Sequence, residues 1–116
     1  MPKQGWIAFI DAHRRGHVVV ALVLPKGRPM RDKARVESLR AILEILIERL
    51  VPSGAYATRL VRLGGVAEIY CVFENETDAR RLAIAVRARP TWRHPGWASQ
   101  WSFVLDGQRS WRSEPH

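Results

Sequence analysis

Four of the five tryptophans in this 116-residue chain fall between Trp92 and Trp111, interleaved with Arg93, His94, Arg109 and Arg112. Aromatic faces stack on nucleobases and guanidinium groups hold phosphates, so this mixture suits single-stranded nucleic acid. Each stacked base contributes about 1–3 kcal/mol. The same rings are also good core fillers. Trp97 and Trp101 are therefore expected in the core. Trp111, next to Arg112 in a polar terminal stretch, is the least core-like.

Other reactive side chains form no pattern that carries chemistry. His13, His17, His94 and His116 are scattered. His13 and His17 are four apart, but Gly16 and the strand-like run after it argue against a shared helix face, and spacing places no third ligand. Cys71 is the only cysteine, which leaves no disulfide framework and no cysteine-based zinc cluster within one chain. Asp11 and His13 lack a nucleophile beside them. Glu74, Glu76 and Asp78 gather at a helix start, where capping accounts for them. Gly64-Gly65 joins strand to strand and is not a phosphate loop. These residues point away from an enzyme, and neither a cofactor nor a metal is expected.

The net charge is +8, carried by 16 arginines and 3 lysines against 11 acidic residues. Such a surface attracts polyanions by counterion release. The arginines are spread along the chain, so a compositional bias explains them equally well. No apolar run approaches the roughly 20 residues that span a bilayer; the longest is His17–Leu24. The first ten residues do not read as a signal peptide. With one cysteine, a cytoplasmic protein without membrane contact is expected.

The elements that must position these groups follow from periodicity. His17–Leu24 is apolar almost throughout, as for a strand covered on both faces. Trp6–Ile10 reads as an extra strand in a hairpin with it, or as part of a short helix within Trp6–Arg15. Val36, Leu39, Leu43, Leu46, Ile47 and Leu50 recur at helical spacing, which predicts a helix from about Asp32, its N-cap, to Val51. A tight Gly64-Gly65 turn then pairs Leu63 with Val66, Leu60 with Ile69, Thr58 with Cys71 and Tyr56 with Phe73. Leu60, Ile69, Cys71 and Phe73 make the better core face. The opposite face carries Arg59, Val61, Glu68, Tyr70 and Val72. A second helix starts at Asn75, whose side chain is expected to cap the Asp78 amide, and ends at Pro90. Ser99–Leu105 is the last strand, with Trp101, Phe103 and Leu105 on one face.

Tyr70-Cys-Val-Phe73 and the following Glu74–Ala79 segment resemble the third strand and next helix of RNA-recognition motifs. In that family the strand stacks bases on aromatic rings, which the resemblance assigns to Tyr70. Glu68 stands at the other stacking position, Val66 and Ala67 replace a basic residue and a glycine, and the first strand offers no aromatic. The resemblance is one of fold logic and does not extend to membership.

The order of elements from His17 onward, β-α-β-β-α-β, predicts a ferredoxin-like split βαβ sandwich of the α+β class. An antiparallel sheet of four or five strands would carry two helices on one face. A related sandwich in which Trp6–Ile10 pairs elsewhere is the alternative. Residues 1–108 form one domain and 109–116 a flexible tail. The expected function is a basic, non-enzymatic binding protein engaging nucleic acid or an acidic protein through Arg59, Tyr70, Trp92, Arg93, Trp111 and Arg112. The alternatives are a homodimer packing through an uncovered sheet face that includes Val61, Tyr70 and Val72, and, less favoured, a small dimeric α+β-barrel enzyme.

Overall fold

A computed structural model describes residues 3–13, 15–24, 29–63 and 66–105, with the side chains of residues 29–32 and 63 outside that description. The expected sites Trp111 and Arg112, the tail that carries them and the Gly64-Gly65 turn lie outside the described residues. In chain order the elements are α1 (Trp6–Ala12), β1 (His17–Val23), α2 (Pro29–Arg49), β2 (Tyr56–Leu63), β3 (Val66–Phe73), α3 (Glu76–Val86), β4 (Arg89–Pro90) and β5 (Ser99–Leu105). The class is α+β, with one open mixed sheet in the order β2-β3-β1-β5-β4.

The β2–β3 register is the one the sequence predicts, from Tyr56 opposite Phe73 to Leu63 opposite Val66. β1 pairs antiparallel with β3 on one side. It pairs parallel with β5 on the other, His17 opposite Ser99. That parallel pairing departs from the all-antiparallel ferredoxin-like sheet. The cause lies after α3. Arg87 closes the helix in the left-handed conformation at φ 59°, and the chain reaches the far sheet edge at Arg89–Pro90. Proline lacks an N–H and is tolerated on an edge. Residues 91–98 then reverse the chain, so β5 slots between β4 and β1 and runs with β1.

Side chains alternate across the sheet. On one face Val19, Ala21, Val23, Ile69, Cys71, Phe73, Trp101, Phe103 and Leu105 pack with Leu43, Ile47, Leu82 and Val86 of α2 and α3. This is the core face that periodicity picks out. α3 is fastened by Asp78, only 4% exposed, which accepts hydrogen bonds from the Ser53 and Gly54 amides at 3.0–3.1 Å. The expected Asn75 side-chain cap is absent; its amide donates to Ser53 Oγ instead, at 3.0 Å. α2 begins at Pro29, so Asp32 lies inside the first turn and is not the N-cap.

The opposite face is not uncovered. α1 lies on it as a helix, not as the hairpin strand, because Trp6, Phe9 and Ile10 fall at i, i+3 and i+4 and turn to one side. Phe9 is fully buried against Val18, Val20, Ala57 and Val72. Gly16 lets the chain pass under it: a Cβ there would sit 3.0 Å from the Phe9 ring and 3.1 Å from the Phe73 carbonyl. Helices therefore cover both faces, three in all among the described residues, where the sequence predicts two on one face.

Candidate functional site

The strand registers set out the α1 face as three rows that cross the sheet. The first is Ala57, Val72, Val18 and Gln100, and its three apolar residues lie beneath Phe9. The second runs Arg59, Tyr70, Val20, Ser102 and Arg89. The third is Val61, Glu68, Leu22 and Val104. The second and third rows bring charged groups onto this face, where the first row is apolar apart from Gln100.

Tyr70 sits at the centre of this cluster. Its ring meets Trp6 edge-on at 6.2 Å and His94 edge-on at 5.2 Å between centroids. Trp6 in turn meets Trp97 at 6.1 Å, and the Arg59 guanidinium lies over the Trp6 ring at 5.6 Å. The Tyr70 hydroxyl donates to Glu68 Oε1 at 2.6 Å. Burial first, and then this hydrogen bond and the carboxylate charge, push the Tyr70 hydroxyl well above its ordinary pKa. It stays protonated and acts as a donor. A hydroxyl has one proton, so the 3.3 Å contact with His94 Nδ1 is best made by a proton on that nitrogen. His94 Nε2 is buried without a hydrogen bond and lies 3.9 Å from Glu68 Oε2.

Glu68 is only 6% exposed, and Arg93 Nη2 reaches its Oε2 at 3.5 Å. A buried carboxylate is costly unless paired and hydrogen-bonded, and here Tyr70 and Arg93 engage one oxygen each. The 91–98 loop is held down by these contacts. It is also held by Gln100, whose Oε1 accepts from the His94 amide at 2.9 Å and whose amide donates to the His94 carbonyl. From this anchored loop Trp92 projects at 74% exposure, with Arg89 and Arg93 also exposed.

Of the expected site residues, Arg59, Tyr70 and Arg93 gather around Glu68 and Trp6, and Trp92 stands on the loop beside them. Tyr70 is not an open stacking platform, because Trp6 and His94 occupy its surroundings. Of the residues expected to form a dimer face, Val72 is fully buried and Tyr70 half-buried. Glu68, His94, Trp6, Trp97 and Gln100 were not legible as a group. They come from four segments joined only by the parallel β1–β5 pairing and the α1 placement.

A second polar cluster lines the other side of β2. Lys3 donates to Glu44 at 2.9 Å, Thr58 donates to the other Glu44 oxygen, and Tyr56 donates to Glu48 at 2.5 Å. Burial alone would raise the Glu44 pKa; the hydrogen bonds from Thr58 and Lys3 and the charges of Lys3 and Arg40 outweigh it and lower it. An open cleft of about 550 Å³ lies beside these groups, with Ala41, Ile45 and Arg49 on its walls. Its carboxylates are already engaged, so little remains to recognise a ligand. Among the described residues no cluster of three or more His, Cys, Asp or Glu side chains could hold a metal ion. No described helix is long and apolar enough to cross a membrane. No protein-family model matches the chain, and no curated protein and no solved structure is significantly similar to it.

Proposed function

We propose that the protein is a non-enzymatic binding domain that takes up single-stranded nucleic acid on its α1 face. Trp92 is the stacking ring, Arg89 and Arg93 are the neighbouring phosphate contacts, and Arg59 lies at the far end of the second row. The observation that carries this reading is Trp92, 74% exposed on a loop that Glu68 and Gln100 pin in place. An exposed indole on an anchored loop loses little freedom when a base stacks on it. Burial of Glu68 also supports the reading, since its carboxylate is turned inward and held by Tyr70 and Arg93 instead of facing a phosphate.

Fluorescence anisotropy with a fluorescein-labelled oligouridine, repeated from low to high salt, tests this. Binding should weaken steeply as salt rises, because each neutralised phosphate releases counterions. Trp92→Ala should weaken it by about 5- to 150-fold, the equivalent of one stacked base. Equal affinity of wild type and Trp92→Ala would overturn the reading. Self-association is the second reading, favoured by the partly exposed apolar residues Leu22, Val61, Val66 and Val104 at the end of the same face. A dimer indifferent to salt, seen by light scattering, would favour it.

A further inference from the structure

We propose that the outer edge of β2 receives an extended acidic segment of another protein, which adds to the sheet as a sixth strand. This edge lies across the sheet from β4 and the Trp92 loop, shares only Arg59 with the nucleic-acid reading and does not depend on it.

β2 is an edge strand. The Tyr56 carbonyl points outward and accepts from the Gln4 amide at 2.7 Å. The Thr58 carbonyl also points outward and accepts from Arg40 Nη2 at 3.3 Å. Backbone groups alternate sides along a strand that pairs antiparallel with one neighbour. The N–H and C=O of Leu60 and Arg62 therefore face outward as well. Among the described residues, no backbone group pairs with them. Lys3 bridges to Tyr56 in parallel, so the first position of this edge already accepts an added chain.

Charge selects the occupant. Arg59 and Arg62 are both exposed. Their side chains fall on opposite faces of the sheet, and Arg62 makes no ion pair among the described residues. A second copy pairing here would crowd two Arg59 and two Arg62 side chains along one short ladder, and charged edges of this kind discourage self-pairing. An acidic strand relieves the crowding. Opposite Arg62, Val61, Leu60 and Arg59, an antiparallel partner would present acidic, apolar, apolar and acidic residues in turn. Main-chain hydrogen bonds supply affinity in this mode and alternate side chains supply specificity.

The test uses the whole protein and a fluorescein-labelled peptide containing Glu-Val-Val-Glu, read by anisotropy. The peptide should bind, the matching Lys-Val-Val-Lys peptide should not, and Arg62→Glu should weaken binding at least tenfold. Trp92→Ala should leave peptide affinity unchanged, which separates failure here from failure of the nucleic-acid reading. N-methylation of the two valines one at a time reads the backbone: one faces β2 and should abolish binding, while the other faces away and should be tolerated. Equal binding by both methylated peptides would mean that charge alone holds the segment and would overturn strand addition. So would absence of binding, or a dimer that Arg62→Glu or Arg59→Glu disperses, which would make a second copy the occupant.

Discussion

The two faces of this sheet are closed in different ways. One is sealed by α2 and α3, 21 and 11 residues long, over an almost wholly apolar layer. The other is closed by the seven residues of α1 and by a loop fastened to a buried carboxylate. The first closure is non-directional and tolerates small shifts. The second depends on hydrogen bonds whose partners must all be present, since a buried polar group left unpaired carries its full desolvation cost. Function is expected where closure is thinner, because loops on a rigid scaffold carry most binding groups.

Changes at four positions can break or sharpen that contrast. The largest effect is expected on the face covered by α2 and α3. Phe73→Ala, at a position 1% exposed, should cost about 3–5 kcal/mol, read as a shifted denaturation midpoint. Cys71 is a built-in reporter for the same layer: burial first, with the Glu44 charge adding to it, pushes its thiol up to about 12. It should resist iodoacetamide in the native protein and react faster in Phe73→Ala.

Glu68→Ala should cost about 1–3 kcal/mol, because the Tyr70 hydroxyl loses its acceptor. Hydrogen exchange should rise in residues 91–98 before it rises in β3. Glu68→Gln keeps an acceptor and should cost less. Uniform loosening of both faces would contradict a locally fastened loop.

A smaller effect belongs to His17, at the end of the α2 and α3 face beside Ser99. Burial lowers its pKa below the ordinary 6.5, and the charge of Glu76 opposes that only in part. The unfolded chain then binds more protons than the native one as pH falls below 6.5, so stability is lost on acidification through the lowered value. His17→Gln should flatten this part of the stability profile. The smallest change is expected from Trp92→Ala, within about 0.5 kcal/mol of wild type. A larger loss would mean that the ring is structural and not reserved for a ligand.

Much of the face under α2 and α3 was legible and little of the other. Leu60, Ile69, Cys71 and Phe73 declare themselves because a period of two persists through both hairpin strands around Gly64-Gly65. α2 declares itself through six apolar positions at helical spacing. α1 is too short for such a signal, and its aromatic and β-branched residues equally suit a strand. β4 is a two-residue strand set by backbone pairing, and no side-chain pattern marks it. Without β4 the direction of β5 is invisible, and so is the meeting of His94, Gln100 and Glu68. The individual candidates Arg59, Tyr70, Trp92 and Arg93 could be named from residue type, but not the Glu68 carboxylate that Tyr70 and Arg93 share.

The parallel β1–β5 ladder has a consequence for synthesis. Val18, Val19 and Val20 are fully buried in the finished molecule, yet β1 acquires its second neighbour only through contacts such as His17 with Ser99, 82 positions apart. Pairings at such separation form late and slowly. As the chain is made, the apolar strand His17–Val23 must wait for Ser99–Leu105 before both its edges are satisfied. During that interval it is open to pairing with other chains.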